Sequence, residues 1–366
     1  MWLLVVACAD AQPVVRSQLL PLVQRWSVEL SAPAAAAVIS GDIIVVSLVE
    51  AGVVAYRASD GTEAWRVDLA AVHPVSADDE RAYIVSRERI HALRLSDGQE
   101  LWRADIGALS AAPLVRSGWV ILATADDLAA LRAGDGSTVW RRSIGTVESQ
   151  PAIDGDWLFV PLLLETRLVA IDLRTGETRW ETELGGAPAE PLAIGGKVYA
   201  CASDKSFYAM DADDGDIEWT LRVGAGPRGR AVVDEDHVYF VALDNILRAI
   251  DRGHGAVEWM KGLAYRPASG PMLMGSAVIV PGAVASLPTF AADGESLSPL
   301  VFPATLVGLT NVTKGPLDHP VVGAITGDIQ HPWMLSLLET SLDPPPIPVV
   351  PVTTLPGQVL AIALPA

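Results

Sequence analysis

The sequence predicts an all-β fold, an eight-bladed β-propeller, with seven blades as the alternative. Three observations predict it. Seven tryptophans, Trp26, Trp65, Trp102, Trp140, Trp180, Trp219 and Trp259, stand 39, 37, 38, 40, 39 and 40 residues apart, and a steady period of this length marks a repeat architecture. Six of them share a template with Ala ten positions and Gly four positions earlier: Ala55, Gly61, Trp65; Ala92, Gly98, Trp102; Ala130, Gly136, Trp140; Ala170, Gly176, Trp180; Ala209, Gly215, Trp219; and Ala249, Gly255, Trp259. Each repeat also holds two apolar hairpin patterns, hence four short antiparallel strands, which is one propeller blade.

The template residues are structural. In "TRLVAIDLRTGETRWETEL" an apolar run with Ala170 ends at a turn, and a second extended run carries Trp180. Gly176 supplies the positive φ of a tight hairpin. The small Ala marks a face where a neighbouring sheet comes close. The Trp fills the space between sheets, and its indole N–H needs a backbone acceptor there. An upstream hairpin, as in "PAIDGDWLFVPLLL", turns at Asp154-Gly155.

Blades begin near Pro33, Pro74, Pro113, Pro151, Pro191, Gly229 and Pro271. The seventh keeps its turn, Asp293-Gly294, but has Ser298 where the Trp belongs. An eighth reads from about Pro320 to the end, with Ala361 of "GQVLAIAL" in the template Ala position and no Gly or Trp after it. The missing outer strand lies at the other end, where "LVQRWSVEL" carries Trp26 without a preceding Ala and Gly. Joining the termini completes that blade and leaves no open edge in the ring. Seven blades result instead if residues 299–350 are an insertion.

Composition narrows the function. With 26 Lys and Arg against 44 Asp and Glu, the net charge is −18, which argues against nucleic acid and against anionic headgroups. Half of the 22 aromatic residues are Trp, as the repeat requires. Two cysteines, Cys8 and Cys201, do not make a disulfide framework or a zinc site. The N-terminus "MWLLVVACADAQ" has an apolar stretch ending in "VVAC", which resembles a bacterial lipobox. That resemblance implies lipidation of Cys8 after cleavage, with residues 1–16 as export signal or lipid tether and 17–366 as one propeller domain. The stretch is short and lacks a preceding basic residue, unlike most export signals. "ADA" ending at Ala11 is an alternative cleavage site.

The repeat "AIDLRTGETRW" resembles the PQQ-like propeller repeat, found in quinoprotein alcohol dehydrogenases and in the BamB family of outer-membrane assembly lipoproteins. The resemblance covers about residues 20–300. Chain length, eight blades, terminal closure and the lipobox favour the BamB side. That family implies a periplasm-facing lipoprotein that aids barrel insertion by holding the POTRA domains of a central subunit.

Three functions stay open: a non-catalytic extracytoplasmic scaffold for a protein partner, a ligand-binding or sensor propeller, and a PQQ-dependent dehydrogenase. The dehydrogenases that this chain resembles are longer and stack the quinone on a disulfide between adjacent cysteines, a feature the sequence lacks. Their Ca²⁺ site has no match either. "DADDGD" at 211–216 fails the alternating ligand pattern of a calcium loop and reads as an acidic hairpin turn. The six histidines show no ligand spacing, so no catalytic residue, metal or cofactor is expected. Beyond the repeat series only Trp2, Trp119, Trp157 and Trp333 remain, too few for a stacking platform on the loops, which favours a protein partner.

Three features outside the template are candidates for function. "TLRVGAGPRGRAVV" is the most basic inter-blade connection, and its Arg222, Arg228 and Arg230 are candidate partner-binding residues. "DPPPIPVV" at 343–350 reads as a polyproline II strip. Two residues after the template Ala stands Arg in three blades (Arg57, Arg94, Arg132) and Asp in the next three (Asp172, Asp211, Asp251), a position expected to be solvated.

Overall fold

The computed structural model describes residues 22–340 except Ser276, Val312, 315–319 and Ile329. The export segment with Cys8, the strip at 343–350 and the run holding Ala361 lie outside the described residues. Among the described residues every regular element is a strand. They form eight antiparallel sheets, seven with four strands and one with five.

The fourth blade shows why these residues form these strands. Its strands are Ala152–Asp154, Trp157–Leu162, Arg167–Asp172 and Thr178–Glu183. The two middle strands are buried over almost their whole length, while the last is mostly exposed. A sheet covered on both faces needs near-continuous apolar runs, and "LFVPL" and "LVAI" provide them. In the last strand Trp180 is the buried position. First strands of neighbouring blades approach one another, which places them around the axis of the ring.

Burial confirms that the ring is closed. Each of eight hydrophobic clusters joins two successive blades. One of them packs Ile39, Ile44 and Val54 of the first blade against Val321, Ile325 and Leu335 of the last.

The template acts across blades. Ala170 lies directly opposite Trp180, and a bulge comes immediately after. The same pair and bulge recur at Ala55–Trp65, Ala92–Trp102, Ala130–Trp140, Ala209–Trp219 and Ala249–Trp259. Cross-strand partners share a face, so the small Ala leaves room for the indole. All seven Trp then dock on the next blade. Their Nε1–H groups donate to the carbonyls of Ala58, Leu95, Ala133, Leu173, Ala212, Arg252 and Ala292 at 2.7–3.1 Å. Each ring lies on the hairpin glycine of that next blade, Gly61, Gly98, Gly136, Gly176, Gly215, Gly255 or Gly294. These glycines have φ between 71° and 81°, and an added Cβ would sit 2.5–2.8 Å from the ring. Glycine is therefore required twice over, by the turn and by the neighbour's Trp.

The eighth blade closes the ring with both ends of the chain, in the sheet order Leu306–Leu309, Pro320–Thr326, Met334–Thr340 and Leu22–Glu29, with Thr313–Lys314 added beside the second. The described residues between 306 and 340 thus form a blade rather than an insertion. Two details of the sequence reading are corrected. The blade starts at Leu306 rather than near Pro320, and its third strand is Met334–Thr340 rather than "GQVLAIAL". Leu337 stands opposite Trp26, and the pairing then slips between Gln24 and Trp26 as it does at the other six repeat Trp. Leu337 takes the place expected of Ala361. The Arg25–Glu339 ion pair at 2.6 Å and the Ser27–Ser336 hydroxyl contact at 2.9 Å tie the terminal strand down.

Candidate interaction site

The basic connection is divided by the strands that flank it. Arg222 ends the outer strand Ile217–Arg222 of the fifth blade, and Arg228 and Arg230 belong to Pro227–Val233, the first strand of the sixth. Arg222 and Arg228 are exposed, and Arg228 Nη2 donates to the Ala268 carbonyl at 3.1 Å. Arg230 is not an exposed loop charge. Its Nη2 lies 3.1 Å from the Pro151 carbonyl, 3.4 Å from that of Gln150 and 3.3 Å from the Gln150 side-chain oxygen. Its Nε is buried without a partner. Burial lowers the Arg230 pKa, Glu190 opposes this, and the like charge of Arg116 adds to it.

Arg230 lines a recess of about 470 Å³ with His73, Ser110, Glu148, Gln150 and Glu190. These residues come from the entry segments of successive blades, so the recess is one mouth of the axial channel. Two carboxylates and one guanidinium give it mixed charge.

A second concavity, of about 550 Å³, is lined by Trp119, Arg132, Asp135, Val139 and Arg174. Trp119 opens the second strand of the third blade, and Arg174 sits on the outer hairpin of the fourth. Tryptophan and arginine together are the residue types that anchor protein interfaces. The sequence reading passed over this cleft because Trp119 looked like one more strand residue and Arg132 like a solvated position. A Trp outside the repeat register was the available signal.

Residues 49–128 and 125–270 match the PQQ_2 family model, described as outer membrane protein assembly factor BamB. The chain belongs to this BamB-type family. It is 28% identical over 134 residues to the outer membrane protein assembly factor BamB of Yersinia pestis, covering 31% of this chain and 33% of that protein. The match thus spans about a third of the curated relative's length. The crystal structure of BamB from Moraxella catarrhalis is similar over 88% of this chain and 99% of its own, with a TM-score of 0.69 at 20% identity. A quinohemoprotein alcohol dehydrogenase from Comamonas testosteroni is similar over 87% of this chain and 76% of its own, with a TM-score of 0.70 at 15% identity. At these identities both likenesses describe the fold.

Within this BamB-type ring the remaining candidates are absorbed by local structure. Cys201 is buried and free, and burial pushes its thiol pKa up, so it is inert core. "DADDGD" is the fifth blade's hairpin, where Asp211 accepts from the Asp213 N–H at 2.6 Å and Asp214 from the Asp216 N–H at 3.0 Å. No group of three His, Cys, Asp or Glu side chains suited to a metal occurs among the described residues. His91 lies between Ser86 and Glu100, and His237 between Asp234 and Glu258. The Arg/Asp position after the template Ala also serves the hairpin. Arg94 pairs with the turn residue Asp97 at 2.8 Å, whereas Asp172 and Asp251 accept turn N–H groups directly.

Proposed function

We propose that the chain is a non-catalytic scaffold of the BamB type, which holds a protein partner at the periplasmic face of the outer membrane during outer-membrane protein assembly. Family membership carries this reading. Three features of the ring support it. Seven tryptophans are committed to packing between blades, four histidines are held by neighbouring carboxylates, and the one described cysteine is buried. The chemistry-bearing side chains thus have structural employment.

The partner would meet exposed arginines. In a chain of net charge −18, local basic patches are where an acidic surface approaches without general repulsion. Arg222 and Arg228, exposed at the two ends of the basic connection, are one candidate, and Arg132 with Arg174 beside Trp119 is another. Cys8 would supply the membrane anchor through its acyl chains.

Capture from solubilised envelope membranes tests the proposal. The wild-type protein should retain a barrel-assembly subunit. Double reversal, Arg222→Glu with Arg228→Glu or Arg132→Glu with Arg174→Glu, should reduce capture severalfold at low salt through one of the two patches. The difference should shrink in high salt, where screening weakens exposed pairs. The N-terminal peptide from the same membranes should carry the acyl mass on Cys8, and Cys8→Ser should release the protein. Failure to retain any envelope subunit would overturn the scaffold reading.

A further inference from the structure

Seven of the eight inter-blade boundaries are filled by an indole, and among the described residues the boundary between the seventh and eighth blades has none. Ser298 stands at the Trp position, and the hydrophobic cluster spanning this boundary contains no Trp. The space is only partly taken up by Leu300 and Phe302, both largely buried. A cavity of about 280 Å³ remains, lined among others by Gln24, Ser298, Leu300, Phe302, Thr326 and Leu338.

Its walls specify an occupant. Among the described residues no charged side chain lines it, so the occupant is neutral. Thr326 is 1% exposed, and among the described residues its hydroxyl oxygen has no hydrogen-bond partner. A buried hydroxyl without a partner is rare in native structures and calls for an explanation. A threonine oxygen accepts hydrogen bonds as readily as it donates, so it suits a ring bearing one N–H. Size sets the upper limit. An apolar cavity of about 150 Å³ holds one benzene, and drug-sized ligands need roughly 300–1,000 Å³. The space here suits a bicyclic ring and excludes a larger cofactor.

The other seven boundaries show what such a ring gains. At six of them an indole donates its N–H to the carbonyl three residues beyond the next blade's template Ala, and at the seventh Trp259 donates to the Ala292 carbonyl. The outer strand of the last blade comes from the other end of the chain.

We propose that the cavity between the seventh and eighth blades is a binding site for a neutral bicyclic aromatic ring of the indole class, at the boundary where no described tryptophan is placed. A free small molecule and a tryptophan side chain of a bound polypeptide share this chemistry. The inference is independent of the scaffold reading.

Fluorine NMR with 5-fluoroindole and with N-acetyl-5-fluorotryptophanamide tests it on the full chain. The wild type should shift and broaden the probe signal and saturate at about one site. Ser298→Trp should fill the cavity, weaken binding at least tenfold and raise the melting temperature by about 1–2 °C. Ser298→Leu is the smaller block should Trp not be accommodated, and should also weaken binding. Trp259→Ser opens a matching space at the preceding boundary and should add a second site. Binding of both probes supports a site open to a polypeptide side chain, and binding of fluoroindole alone supports a small-molecule site. No binding by the wild type, or equal binding by both Ser298 variants, overturns the proposal.

Discussion

Arg228 and Arg230 stand two positions apart in one strand, yet one is exposed and the other is turned towards the axis. The cause is Gly229, whose φ of +71° lies in the middle of a bulge between Arg228 and Val232. Regular pleating would send both side chains to the same face, and a glycine bulge re-aims the side chains beyond it. Arg230 then crosses from the sixth blade to the carbonyls of Gln150 and Pro151 in the fourth. Arg228→Glu should therefore leave the denaturation midpoint almost unchanged, since exposed charges contribute about 0–1 kcal/mol. Arg230→Glu should cost roughly 2–4 kcal/mol, because a carboxylate would face carbonyl oxygens and lose every donor. Urea titration of the two variants checks this, and equal midpoints would show that the Arg230 contacts contribute nothing to stability. The charge of "GPRGR" was legible in the sequence; the turn of one arginine out of the surface was not, since a glycine in a strand marks a bulge without giving its direction.

The hairpin of template Ala, Gly and Trp was fully readable, because three residue types at fixed offsets each answer one steric demand. The eighth blade was readable only in part. Its outer strand was found through Trp26, whose docking requirement is the same as that of every other Trp. Its third strand, "MLSLLET", was missed because the hairpin it would normally enter does not exist. With the partner strand supplied by the other terminus, neither the turn Gly nor the template Ala is needed, and Leu337 fills the face instead. Deleting residues 1–30 removes that outer strand, the Trp26 indole on Gly61, its bond to Ala58 and the Arg25–Glu339 pair together. It also exposes the edge of Met334–Thr340, and unpaired edges invite aggregation. The truncated protein should melt several degrees lower and self-associate, whereas Trp26→Ala alone should lower melting by less. Differential scanning calorimetry with light scattering distinguishes these outcomes, and unchanged melting of the truncated chain would mean that the strand does not hold the ring closed.

For the whole molecule, eight clusters in series each join two successive blades, the last with the first included. The fold is shared with quinohemoprotein alcohol dehydrogenases at a TM-score of 0.70, so architecture alone does not separate scaffold from oxidoreductase. Site chemistry is where the two readings differ. A quinone of the PQQ type is a flat polyanion that needs cationic contacts and a stacking surface. The channel mouth at Arg230 instead carries Glu148 and Glu190, and among the described residues no Trp, Tyr or Phe lines it. The guanidinium there is already engaged by three oxygens. The two cysteines are 193 positions apart, so the adjacent-cysteine disulfide that the resemblance would imply cannot form. The purified protein should therefore bind no PQQ by equilibrium dialysis, with or without Ca²⁺, and should reduce no dye with alcohols or aldoses. Stoichiometric PQQ retention with Ca²⁺-dependent dye reduction would place the chain among the dehydrogenases, and would require the channel mouth to rearrange so that Arg230 leaves the fourth blade's carbonyls for the quinone.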